Sequence, residues 1–131
     1  MNFALRGVSK SFTSRRGRVL ALSGVDLEVQ DGEFLCILGP SGCGKSSLLN
    51  IMAGLDHEYQ GQAVVDGKAI TGPSAERLLL FQEPALFPWM NIGENVAFGL
   101  AARGVSRSER ESIVSRYLAM VHLEAFTHAH P

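Results

Sequence analysis

The chain opens on a loose alternation of apolar and polar positions, with Phe3, Leu5, Val8 and Phe12 predicting a first strand over Phe3 to Phe12. A polar stretch, Ser14 to Arg18, holds Gly17 and predicts a turn. Apolar positions resume over Val19 to Gln30, and Val25, Leu27 and Val29 fall at period two, as in a strand with one wet face. Asp31-Gly32 is a hairpin-type turn signal. Phe34 to Leu38 is unbroken and apolar, the pattern of a strand buried on both faces. Lys45 to Leu55 carries Leu48, Leu49, Ile51, Met52 and Leu55 at helical spacing, with Gly54 helping to end the helix. Gly61 to Asp66 predicts a short strand with Asp66-Gly67 as its turn, and Gly72-Pro73 punctuates a loop. Leu78 to Phe81 predicts another central strand, broken at Gln82-Glu83-Pro84 because the residue before a proline avoids helical geometry. Ala85 to Asn91 is a loop rich in Leu, Phe, Pro and Trp. Ile92 to Ala102 and Ser106 to Leu123 predict helices. The second opens on an S-x-x-E capping box, Ser106 with Glu109, and carries an apolar stripe of Ile113, Val114, Tyr117, Leu118 and Val121.

Composition narrows the picture. With 131 residues, 46% hydrophobic and 19% charged, the chain is globular and large enough for one cored domain. A formal net charge of -1 supplies no global attraction for nucleic acid, which is not expected as a partner. The basic residues Arg6, Lys10, Arg15, Arg16 and Arg18 cluster early, either as a solvated hairpin face or as local attraction for a polyphosphate. Cys36 lies in an apolar run and reads as a buried thiol, and Cys43 lies in a glycine-rich loop. Nothing demands a disulfide. His57, His122, His128 and His130 lack metal-site spacing and read as surface or loop residues. The start shows no signal peptide, and no apolar run approaches the ~18 residues of a membrane span.

The chemistry concentrates between Gly39 and Ser47. Gly39-Pro40-Ser41-Gly42-Cys43-Gly44-Lys45-Ser46 fits G-x-x-x-x-G-K-[ST], which binds nucleoside triphosphates. Successive backbone N–H groups and the positive end of the following helix can hold several phosphate charges. Gly39, Gly42 and Gly44 allow tight turns, Lys45 reaches the outer phosphates, Ser46 offers a hydroxyl to Mg²⁺, and Ser47 can donate to an inner phosphate. At average composition such a match arises by chance at roughly one start site in tens of thousands. The competing reading is a glycine-rich turn with a surface lysine, and the predicted strand–loop–helix context argues against it.

Together with further stretches, this loop resembles the ATP-binding subunit of an ABC transporter, of the nitrate, sulfonate and taurine importer type. The octet matches the Walker A loop, and Phe81-Gln82-Glu83-Pro84-Ala85-Leu86-Phe87-Pro88-Trp89 matches the Q-loop region. Ala21-Leu22, Gly32-Glu33-Phe34 and Ile70-Thr71-Gly72-Pro73 extend the resemblance over essentially the whole chain. It implies an α/β fold, the N-terminal portion of a P-loop ABC ATPase domain. An antiparallel β subdomain would join an incomplete parallel-sheet core with flanking helices. Residues 1–33 and 59–72 would be β-subdomain strands, 34–58 and 73–91 the ATP-binding core, and 92–131 the start of a helical subdomain. It implies ATP and Mg²⁺ as cofactors, Phe12 as the ring stacking on adenine, and Gln82 meeting Mg²⁺ and the attacking water alongside Lys45. Strand packing is the competing reading for Phe12. It further implies a membrane permease contacted through Gln82 to Trp89, a second ATP-binding subunit, an indirect link to a solute-binding protein, and a peripheral place on the cytoplasmic face of a bacterial inner membrane. Phe87 and Trp89 read either as a docking anchor or as a core plug, with Trp89 expected to be buried and Phe87 exposed.

The family's signature motif, Walker B aspartate, catalytic glutamate and switch histidine find no match among these 131 residues, and Glu124 and His122 stand too early to replace them. The expectation is a truncated chain that binds ATP weakly and hydrolyses almost none, with exposed apolar strand edges. The alternatives are a non-catalytic permease-binding module and another P-loop ATPase or kinase.

Overall fold

The computed structural model describes residues 1–131 except Arg16 and Pro84, so those two members of the basic cluster and of the proline break lie outside the described residues. Strand β1 (Phe3–Ser14) pairs antiparallel with β2 (Gly17–Val29), and the pairing runs out to Ser14 opposite Gly17. On its other side β1 pairs antiparallel with β3 (Gln60–Val65), which turns through Asp66 and Gly67, both at positive φ, into the short β4 (Lys68–Ala69). The sheet order is β2-β1-β3-β4. The sequence pattern did not announce β4, which is only two residues long.

Irregular pairing between Leu5 and Val8 rephases the inward side of β1. Leu5 is buried, and so are Val8 and Lys10 three and five residues later. Helix α1 (Lys45–Ala53) covers this face and buries Leu48 and Ile51 against Leu5, Val8, Leu22, Ala63 and Ile70. Gly54, at φ 77, ends α1 as expected. A Cβ there would lie 2.2 Å from the Gly72 carbonyl oxygen. The predicted alternation over Val25 to Val29 is present, with Val25, Leu27 and Val29 half-buried and Asp26 and Glu28 exposed. At the sheet's edge the Met1 ammonium bonds the Asp31 carboxylate, and this raises the pKa of the amine and lowers that of the acid.

Two expected strands are corrected. Phe34 to Leu38 and Leu78 to Phe81 carry no strand ladder, and every pairing among the described residues is antiparallel, so the parallel core is not formed here. Phe34, Leu38, Leu78, Leu80 and Phe81 are exposed, and Ile37 alone of the first run packs on the core. An apolar run becomes a strand only when neighbours complete its hydrogen bonds, and the described residues offer these runs none. Cys36 is exposed for the same reason, against the expected buried thiol.

Contacts divide the described residues into two units, Met1–Leu80 and Phe81–Pro131. In the second unit, α2 (Ile92–Ala102) packs on α3 (Arg107–Met120), followed by a 3-10 turn at Glu124–Phe126. Ser106 caps α3 through the Glu109 amide at 3.4 Å. The reciprocal box belongs instead to Asn91 and Glu94 on α2. Of the expected stripe on α3, Val114 and Leu118 are buried while Tyr117 and Val121 are exposed.

Candidate nucleotide site

In the first unit, residues 39–44 form an irregular loop that ends on Gly44 and passes directly into α1. Gly42 and Gly44 sit at φ 81 and 99, in the region that favours glycine. Gly44 also touches β2, where a Cβ would stand 2.5 Å from the Ala21 carbonyl oxygen and 2.9 Å from Leu22 Cδ2. At the loop's other end, a Cβ on Gly39 would lie 2.7 Å from Cys43 Sγ. At Gly44 the loop lies close against the β2 backbone, and the Cys43 amide donates to the Pro40 carbonyl at 3.4 Å.

Lys45 bends its ammonium back over this loop, 2.8 Å from the carbonyl oxygens of both Gly39 and Pro40 and 3.6 Å from Cys43 Sγ. The structure therefore brings Gly39, Pro40, Cys43 and Lys45 together, with Ser46 exposed and Ser47 half-buried in the first turn of α1. That first turn has no side-chain cap and no acidic residue. Among the described residues, the amides of Lys45, Ser46 and Ser47 have no acceptor, and the first bonded amide is Leu48, which donates to Gly44 O at 2.9 Å. Helix α2 is the contrast. There the Ile92 and Gly93 amides donate to Ala129 O and Thr127 O, at 2.9 and 2.8 Å, and the Glu94 amide to Asn91 Oδ1. One helix start is closed by its own chain. The other keeps donors without an acceptor among the described residues and an unneutralised positive end, and these suit a polyphosphate.

Phe12 lies on β1 in the same unit and is 48% exposed, with the Lys10 ammonium 4.7 Å from its ring centroid. Lys10 does not belong to a solvated basic face: it is 4% exposed and paired with Asp56. The strand held that signal, since Lys10 falls two residues after buried Val8. Gln82 lies in the second unit and is exposed. The aromatic loop reverses the expectation for its rings. Phe87 is half-buried, 4.6 Å from Phe98 and 5.5 Å from Trp89 between centroids, while Trp89 is 70% exposed. Asn95, which the sequence pattern did not single out, holds this loop: it accepts from the Phe87 amide and donates to the carbonyls of Phe87, Met90 and Asn91. The four histidines are exposed, and no three metal-ligating side chains gather among the described residues. No helix of the described residues is long and apolar enough to cross a membrane.

A profile of the family described as ABC transporter matches residues 22–131. The chain belongs to that family. It corresponds to the N-terminal portion of an ABC transporter ATP-binding protein. It is 43% identical to the nitrate import ATP-binding protein NrtD of Synechocystis over 131 residues, 100% of this chain and 49% of that protein. It is 45% identical to the taurine import ATP-binding protein TauB of Burkholderia pseudomallei over 119 residues, 91% of this chain and 46% of that one. The chain thus spans about half the length of the curated relatives it matches. Among solved structures, the ATP-binding cassette MJ0796, as a dimer in a post-hydrolysis state with ADP and phosphate, matches with a TM-score of 0.81 and 30% identity. That match covers 98% of this chain and 61% of the cassette. The ABC ATPase fold accordingly extends over most of this ABC-family chain.

Proposed function

We propose that this chain is the nucleotide-gripping part of an ABC importer ATPase that couples ATP hydrolysis to uptake of a small anion such as nitrate, a sulfonate or taurine. The observation that carries ATP binding is the open start of α1, where three amides have no acceptor among the described residues and the Lys45 ammonium crosses the preceding loop. Gly39 to Ser47 hold the phosphates, Ser46 meets Mg²⁺, Lys45 acts on the reacting phosphate, and Phe12 stacks on the base. Likeness to nitrate and taurine import proteins supports the transported class.

The same reading makes Gln82 to Trp89 the permease contact. Exposed Trp89, backed by half-buried Phe87 on a loop pinned by Asn95, supports it, since rigid aromatic area anchors interfaces at modest entropic cost. A second ATP-binding subunit would face this one, as in the dimeric cassette MJ0796. A solute-binding protein joins indirectly, and the assembly sits at the cytoplasmic face of the membrane. The domain division is 1–33 and 59–72 for the β subdomain, 34–58 and 73–91 for the core, and 92–131 for the helical start.

Hydrolysis needs a positioned water and a base beyond the phosphate cradle. We expect the 131-residue polypeptide to bind Mg-ATP without turnover. Calorimetric titration of wild type and Lys45→Ala, with phosphate release measured in parallel, tests this. Binding lost on Lys45→Ala without phosphate release supports the reading. A folded wild type indifferent to ATP overturns it. Robust phosphate release would favour a self-sufficient P-loop ATPase or kinase.

A further inference from the structure

Lys10 is a buried charge that the proposed function leaves unused. Its side chain is 3% exposed, and its ammonium lies 2.8 Å from the Asp56 carboxylate and 3.0 Å from the Glu58 carbonyl oxygen. An ammonium so removed from water persists only with such partners. The same ammonium lies against the Phe12 ring, two residues along β1 and 4.7 Å from its centroid. An ammonium within ~6 Å of a ring centroid is held by the ring's π face. About half of Phe12 stays open to solvent at 48% exposure. Asp56 is tied in turn to the end of α1, because the Leu55 and Asp56 amides both donate to Asn50 O, at 2.9 and 3.3 Å. One ion pair thus joins the Phe12 ring to the helix whose opposite end carries the phosphate loop.

We propose that Lys10 is a positioning residue for the nucleotide base: anchored by Asp56, it fixes the Phe12 ring as the platform on which the purine of ATP stacks. The proposal rests on the nucleotide reading of Phe12 and adds to it the device that sets the ring. An aromatic side chain near a strand end would otherwise exchange rotamers, and a base that stacks on it would have to order it first.

The test compares Mg-ATP with Mg-tripolyphosphate, which has the phosphates but no base, on the full 131-residue chain. Wild type, Lys10→Met, Asp56→Asn, Phe12→Leu and the Lys10→Met/Phe12→Leu double variant are titrated after circular dichroism shows each to be folded. Lys10→Met should weaken ATP by about 3- to 10-fold and leave tripolyphosphate within about twofold. It should add nothing in the Phe12→Leu background. Asp56→Asn, which loosens the ammonium's anchor, should act in the same direction and serves alone if Lys10→Met does not fold. Equal losses for ATP and tripolyphosphate would overturn the proposal, because a purely structural or charge effect makes no distinction between them. A Phe12→Leu effect on ATP with none from Lys10→Met or Asp56→Asn overturns it too, and leaves the stacking ring in place. Phe12→Leu without any change in the ratio of the two affinities removes the base-stacking reading itself and the clamp with it.

Discussion

Gly44 and Lys45 are neighbours with opposite tolerances. Gly44 combines φ 99 with a contact to the Ala21 carbonyl that leaves no room for a Cβ. Gly44→Ala should cost about 1–3 kcal/mol of stability, the range for a side chain forced into left-handed backbone, and urea melts would measure it. Lys45→Ala removes only hydrogen bonds on the exposed loop, so its melt should shift by less than about 1 kcal/mol while nucleotide affinity collapses. Both residues were legible because the motif ties each residue type to one local task. Lys10 was not. A lysine in a list of basic residues looks solvated, and only its phase within the strand and its distant partner Asp56 reveal that it turns inward.

At the scale of elements, the polar side chain of Asn95 organises the loop before α2 through four hydrogen bonds to backbone groups of Phe87, Met90 and Asn91. Asn95→Ala should cost about 1–3 kcal/mol, since part-buried loop groups lose their partners. Hydrogen exchange at the Phe87 amide should accelerate before the exchange of α3 changes. Helices and turns were read well from sequence because their signals are local: Gly54 closing α1, Asp66-Gly67 turning β3, Ser106 opening α3. The strands split into two kinds. β1, β2 and β3 find one another within the first unit. Phe34 to Leu38 and Leu78 to Phe81 carry an equally strong pattern, but a pattern specifies a face and not a partner. The reversal of Phe87 and Trp89 has a similar origin, because the ring that is covered depends on where Phe98 comes to lie.

At the scale of the molecule, the exposed Phe34, Leu38, Leu78, Leu80 and Phe81 make two sticky stretches of unpaired backbone and apolar side chains. Such stretches template association between copies. Sedimentation of the 131-residue polypeptide should show mass rising with concentration, and Leu38→Lys with Leu80→Lys should suppress that rise without unfolding the β1–β3 sheet. A monomer at all concentrations would mean that these runs are covered in solution. Fold membership was legible from the motif and its flanks, whereas the state of the central runs depends on chain pairing that no local pattern records.

The open amides at the head of α1 also carry a thermal consequence. Among the described residues nothing in the polypeptide accepts from these donors, so bound ATP would add hydrogen bonds to the folded form alone. Unfolding temperature should climb with the logarithm of ATP concentration, and saturation at a hundred times the dissociation constant should stabilise the folded form by about 2.7 kcal/mol.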